Sequence, residues 1–215
     1  MIKSDAVAQL KQILGFRTDL VTQAPIALAQ AQDKLEDEWP RPDIYPWFLR
    51  TELATTTTVA NEPRVGIPSD YLSDDEESGL EIVNADNEII PLEKNDFDLL
   101  RALYANTDAT LPVAYSSDGL YYRLFPAPDA IYTLYQKYYK KDTAFSSLDD
   151  SAENQWLKYA PWALIHRAAV ILGIGGSNKN VSSSASLLGD CIAAIVTKSI
   201  WLQETNRPRA MGEVL

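Results

Sequence analysis

The stretch from Ile131 to Ile171, IYTLYQKYYKKDTAFSSLDDSAENQWLKYAPWALIHRAAVI, changes its apolar period midway, and that change sets the fold class. At its start Tyr132, Leu134, Gln136 and Tyr138 alternate with Ile131, Thr133, Tyr135 and Lys137, the period-2 pattern of a strand with two differently used faces. Further on, Leu157, Ala160, Leu164, Ala168 and Ile171 recur at helical spacing, with Asp150 or Ser151 placed to cap the segment. A strand that hands over to helices predicts an α+β chain.

Upstream of this junction the strand-type pattern persists. Between Thr51 and Tyr139 short β-rich runs are broken by turn residues, which predicts a small antiparallel sheet. Thr55–Thr58 suits a strand. Leu80–Val83 and Glu88–Ile90 flank Asn84–Asn87, while Val113–Tyr115 and Leu120–Phe125 flank Ser116–Gly119, where Asp118-Gly119 supplies the positive φ of a tight hairpin. Glu93–Tyr104, with Phe97, Leu99, Leu100 and Leu103, reads as a short helix packed on the sheet.

Further toward the start the pattern is helical again. Ser4 or Asp5 caps a helix running to Leu14, and Gly15 ends it. A longer helix is expected from about Asp19 to Trp39. Leu28, Ala31, Leu35 and Trp39 share its inner face, Asp33, Glu36 and Asp37 point away, and Pro25 sits in its first turn. Pro40, Pro42 and Pro46 stop it and lead into Trp47-Phe48-Leu49. Toward the other end, Gly173–Asn180 is a loop. A last helix over Ser184–Gln203 stripes Leu187, Leu188, Cys191, Ile192, Ile195 and Leu202 on one face.

The expected organisation is therefore N-terminal bundle helices over 1–50, a β lobe with a helical insert over 51–145, and C-terminal bundle helices over 146–203. The remainder, 204–215, has few apolar residues and reads as an extended arm.

Composition narrows the function. The 215 residues hold 19 basic and 30 acidic side chains, a formal net charge of -11, which disfavours neutralising a phosphate backbone. The single Cys, Cys191, cannot form an intrachain disulfide and is expected as a packed core thiol. No long apolar run suited to a bilayer is evident, and MIKSDAVAQL lacks a signal-peptide apolar block, so synthesis in the cytoplasm and no membrane partner are expected.

Chemistry finds few footholds. The only histidine, His166, lies on a helix beside Arg167, with no nucleophile in a sharp-turn or Gly-rich context, and reads as a satisfied surface or interface group. One His and one Cys do not make a zinc site. Gly173-Ile174-Gly175-Gly176 follows a helix and lacks the Lys-Ser/Thr pair of a phosphate loop. The run Asp74-Asp75-Glu76-Glu77 lacks calcium-loop spacing and reads as a solvated loop. Catalytic, cofactor and metal residues are expected to be none.

Several phrases, in order, carry a family likeness. They are Gly15-Phe16-Arg17-Thr18-Asp19-Leu20, then Pro46-Trp47-Phe48-Leu49, then Ile67-Pro68-Ser69-Asp70-Tyr71-Leu72 ahead of the first hairpin. Tyr135-Gln136-Lys137-Tyr138-Tyr139, Leu148-Asp149-Asp150, Glu153-Asn154-Gln155-Trp156-Leu157 and Tyr159-Ala160-Pro161 follow. The set resembles the head-tail adaptors of tailed bacteriophages. The chain departs from their pattern at Leu164–Ala169, where a small-residue phrase is usual.

The resemblance implies a virion structural protein at the head-tail junction. It implies a dodecameric ring under the portal that joins it to tail or nozzle proteins, with DNA passing through the lumen without specific binding. On that reading Trp47, Trp156, Trp162 and Trp201, with Trp39 beside them, are candidate inter-subunit anchors, with a place in the core as the alternative for each. Arg207, Pro208, Arg209, Met211, Val214 and Leu215 form a candidate portal-binding arm. Two other readings remain open at this stage: a neck or tail-completion protein that binds tail subunits rather than the portal, and a small acidic hydrolase using His166.

Overall fold

The computed structural model describes residues 1–15, 22–41, 43–51, 53–74, 79–173 and 179–206. Four expectations lie outside these residues: the chain around Asp19, the acidic residues Asp75–Glu77, the Gly175-Gly176 turn and the arm from Arg207.

The described helices are α1 (Lys3–Ile13), α2 (Ala24–Asp37), α3 (Phe97–Leu103), α4 (Gln155–Tyr159), α5 (Pro161–Gly173) and α6 (Lys179–Asn206). The strands are β1 (Ala54–Thr57), β2 (Arg64–Gly66), β3 (Tyr71–Asp74), β4 (Leu80–Val83), β5 (Ile89–Pro91), β6 (Glu93–Lys94), β7 (Ala114–Ser117), β8 (Tyr121–Phe125), β9 (Thr133–Gln136) and β10 (Tyr138–Lys140). The chain divides into two compact units, one of Met1–Leu49 with Lys141–Leu215, the other of Arg50–Lys140. The class is α+β, with helices from both chain ends.

In the helical unit α5 is the centre: α1, α2, α4 and α6 all pack on it. Its sequence explains this, because Ala163, Leu164, Ile165, Ala168 and Ala169 are all buried, and small residues between large ones let neighbouring helices approach closely. α1 buries Ala6 and Leu10; α2 buries Ala27, Leu28, Ala31 and Leu35 on the expected face, and Trp39 is buried just beyond its end. Gly15 takes φ +69° behind α1, as a helix terminator should, and Pro25 sits in the first turn of α2.

Several expectations are corrected here. Neither Ser4 nor Asp5 caps α1, whose N-cap position is Ile2 with no side-chain bond. Glu36 does not point away but is buried, because donors more than a hundred residues off converge on it. The cap after the lobe is Asn154, whose Oδ1 accepts from Leu157 N at 3.0 Å, rather than Asp150 or Ser151. Pro161 then splits the expected single helix into α4 and α5. Finally α6 reaches Asn206, so Glu204–Asn206 are helical rather than part of an extended arm.

The stripe on α6 also differs. Leu188 and Ile195 are buried, but Leu187 is 46% exposed, while Cys191, Ile192 and Leu202 are half-buried. Ser184 and Ser199 fill buried positions of that face, Ser199 by donating to Ile195 O and accepting from Trp47 N. Contrary to the expectation from the sequence, Ser182–Gln203 is long and apolar enough, by length and composition only, to cross a membrane. Its apolarity is spread among Ala, Ile, Val and Leu with Ser and Gly between, which hides it from a search for an unbroken run. Only 22% of that stretch is buried.

Among the described residues the second unit holds three sheets rather than one. One runs β1-β9-β4-β5, all antiparallel, with Leu80 opposite Gln136 and Ile82 opposite Leu134. Another runs β2-β8-β7-β6, where β7 and β8 form the hairpin expected at Asp118-Gly119 and the β6–β7 pair is parallel. The third joins β10 to β3. The segment Ile131–Tyr139 is therefore not one strand: it breaks at Lys137 into β9 and β10, which pair in different sheets. Val65, Leu80, Ile82, Leu92, Tyr115, Tyr122, Leu124 and Leu134 make a common core, and α3 packs on β7 and β8 through buried Leu100, with Leu99 and Leu103 left exposed.

Candidate partner-binding surfaces

Of the four tryptophans singled out from the sequence, one is not a surface group. Trp156 is fully buried at the start of α4, edge-on to Phe48 at 5.1 Å and near Trp39 at 6.2 Å. Its Nε1 donates to Glu36 Oε1 at 2.8 Å, because an indole N–H taken out of water needs an acceptor. Gln32 Nε2 and Asp142 N donate to the same oxygen. Burial raises the Glu36 carboxyl above its ordinary range, and these hydrogen bonds pull it partly back. Gln32 and Asn154 extend the network to Thr143 O and Phe145 N. This is a structural anchor, closed to partners.

The other three reach the surface. Trp47 is half-buried in a short 3₁₀ turn, its ring 4.6 Å from Tyr159 and covered by the Lys198 ammonium at 4.4 Å. Trp201, one turn beyond Lys198 on α6, is 59% exposed. Trp162 is 46% exposed on the first turn of α5 and stacks on His166 at 5.9 Å.

His166 itself corrects the sequence reading of a satisfied surface group. It is buried, its Nδ1 has no hydrogen-bond partner, and burial lowers its pKa, so the imidazole is held neutral. Arg167 beside it donates from Nη2 to Glu38 Oε2 at 2.9 Å, leaving Nε without a partner.

Two surfaces were not legible as sites. A groove of about 410 Å³ runs along α1, lined by Lys3, Ser4, Val7, Ala8 and Lys11, with Asp150 at its end. Lys3 is committed, its Nζ donating to Leu148 O at 2.6 Å and lying over the Phe145 ring. On α6, Leu187, Asp190, Ala194, Lys198 and Trp201 succeed one another at three- and four-residue spacing and so share one exposed face. Cys191, beside Asp190, has its thiol pKa pushed up by burial and then by that carboxylate, and so is a poor nucleophile.

In the β unit, polar side chains gather around Asp74. Tyr122 Oη donates to Asp74 Oδ1 at 3.3 Å and accepts from Gln136 Nε2, while Lys94 pairs with Asp74. Tyr138 Oη donates to Asp70 Oδ1 at 2.8 Å and its ring stacks on Tyr71. Burial, then the Asp74 charge, pushes Tyr115 up to about 12 and raises Tyr71 and Tyr122 as well. The network ties β3, β8 and β9 across the three sheets. A small hollow of about 230 Å³ beside β1, lined by Thr55, Thr56 and Pro68 among others, carries no charged side chain. Among the described residues no cluster of three or more His, Cys, Asp or Glu could hold a metal ion.

Comparison with known proteins adds one relationship. The family model described as SU10 adaptor protein matches residues 3–199, spanning both units and nearly every described element. The search of curated proteins finds no match.

Proposed function

Because this chain belongs to the SU10 adaptor protein family, a phage adaptor family that is structural rather than enzymatic, we propose that it forms a dodecameric ring under the portal. The ring joins the portal to tail or nozzle proteins and lines the DNA exit channel at the head-tail junction of the virion.

The observation that carries this reading is the exposure of α6. The exposed side of α6 carries two large apolar side chains, Leu187 and Trp201, among small and polar residues, and a repeated interface covers them. Trp162 and Trp201 are the anchors on this reading, with Trp47 at the edge of the same helical unit; Trp156 is excluded by its burial. The net charge of -11 suits a channel wall, since carboxylates toward the lumen repel phosphates and keep DNA from adhering. The arm, residues 207–215 with Arg207 and Arg209 ahead of Met211, Val214 and Leu215, docks on the portal and follows directly from α6.

Electron microscopy of the purified protein with and without portal tests the ring. Rings in the mixture support it, and protein that never forms rings with portal overturns it. Portal co-sedimentation of a chain ending at Asn206 tests the arm, which undiminished binding refutes. A pull-down that recovers tail subunits but no portal favours a neck or tail-completion protein instead.

A further inference from the structure

Resting on the ring reading, we infer that the exposed face of α6 docks antiparallel in the α1 groove of a second copy of this chain. The two surfaces match in charge and in spacing. Along the groove Lys11 stands at one end and Asp150 at the other, since Ser4 N donates to Asp150 O at the start of α1. From Ser4 to Lys11 is seven residues, about 10 Å of helix at 1.5 Å per residue. On α6, Asp190 and Lys198 lie eight residues apart, about 12 Å by the same rise. Running α6 against the direction of α1 brings Asp190 to the neighbour's Lys11 and Lys198 to the neighbour's Asp150.

The middle of each surface suits close contact. Ala194 lies halfway between Asp190 and Lys198, and Val7, Ala8 and Pro25 line the groove between its charged ends. Small side chains on both helices permit a near approach of backbones, while Leu187 and Trp201 flank the charged pairs with apolar area. Lys11, Asp150 and Asp190 have no ion-pair partner among the described residues. Lys198 sits over Trp47, a contact that leaves ammonium N–H groups for a carboxylate.

Ridge and groove are different surfaces of one unit, because α1 and α6 pack separately on α5. On the ring reading the contact is heterologous: each copy offers a ridge to one neighbour and a groove to the other, the kind of interface that closes into a ring. A two-fold dimer that used the same two surfaces reciprocally would give only a disulfide-linked pair on oxidation, not a ladder.

The test is charge reversal in the full chain, read by electron microscopy and sedimentation with portal present. Asp190→Lys or Lys11→Glu alone should reduce ring yield on the order of tenfold, because like charges then face each other across the contact. The double variant Lys11→Glu with Asp190→Lys should recover it. A second measurement is independent of those variants' folding: Ala8→Cys with Ala194→Cys, in a Cys191→Ala background, should give a ladder of disulfide-linked multimers on oxidation. Rings of normal yield in both single variants, or only monomer on oxidation, overturn this contact and leave the ring itself standing. Wild-type protein that makes no ring with portal overturns both, and is recognised because the unmodified chain already fails.

Discussion

Trp156 Nε1 donates to Glu36 Oε1 at 2.8 Å across 120 positions of sequence, joining the helix before the β unit to the helix after it. That single oxygen also receives Gln32 Nε2 and Asp142 N. A buried carboxylate is tolerated here because donors surround it, not because a cation pairs with it at close range.

The sign of its pH effect follows. Burial raises the Glu36 pKa in the folded chain above the ordinary 4.5, so the native state holds this proton more tightly than the unfolded state. The stability it contributes is fully present below the unfolded pKa and is lost as pH rises through the folded value. Glu36→Gln keeps an acceptor oxygen for Trp156 and removes the charge. Its Tm should equal or exceed that of the wild type at pH 7, with the advantage shrinking toward pH 4. Glu36→Ala takes away the acceptor of the buried Trp156 Nε1–H and should cost about 2–4 kcal/mol in urea unfolding. A Gln variant less stable than wild type at pH 7 contradicts this account.

The tryptophans should separate by role. Trp156→Ala empties the centre of the aromatic cluster with Trp39 and Phe48 and should cost about 3–5 kcal/mol, enough to threaten folding of the helical unit. Trp162→Ala and Trp201→Ala, exposed in a single copy, should shift unfolding by less than about 1 kcal/mol while lowering ring yield. Urea titration beside sedimentation of the assembled species distinguishes the two classes. Equal losses of stability at all three positions would mean that the exposed rings are part of the fold.

How far the sequence could be read depended on the range of each interaction. Helices, the Asp118-Gly119 hairpin and the Gly15 terminator rest on local periodicity or on one residue's φ, and all were legible. The break at Lys137 was not, because the pairing of β9 with β1 and β4, and of β10 with β3, is decided by strands far away in sequence. Glu36 looked like a solvated face residue for the same reason: its donors include Asp142 and Trp156. Asn154 displaced Ser151 as cap because its side chain also serves Thr143 O and Gln32. Among candidate site residues the tryptophans stand out in the sequence by residue type, though their burial does not, whereas Lys11, Asp150 and Asp190 carry no local motif. Only their placement along the α1 groove and the exposed face of α6 draws attention to them.

Gly79 is a backbone position with little room for change. It has φ +28°, and a Cβ there would lie 2.9 Å from Tyr115 Oη, on a ring buried in the core of the β unit. Gly79→Ala should therefore destabilise by about 1–3 kcal/mol, combining backbone strain with a displaced tyrosine. Gly119→Ala pays only the φ cost, since nothing lies within 4 Å of its Cβ position. Denaturant midpoints of the two variants should rank Gly79→Ala below Gly119→Ala, and the reverse order would show that Tyr115 yields freely.

The tyrosine cluster should set the alkaline limit of the β unit. Tyr115 is pushed up to about 12, and Tyr71, Tyr122 and Tyr138 are also raised, by burial first and by the carboxylates of Asp74 or Asp70 next. Raised folded values mean that the native state holds these protons, so their stabilisation is complete below the ordinary phenol pKa of 10 and is lost as pH climbs toward 12. Phenolate absorbance should then rise in two phases: a low-pH phase from exposed rings, and a steep late phase coincident with loss of strand circular dichroism. Asp74→Asn removes the charge that opposes ionisation of Tyr115, Tyr71 and Tyr122, and should move the late phase to lower pH. An Asp74→Asn titration that overlays the wild type would show that burial alone holds these phenols protonated.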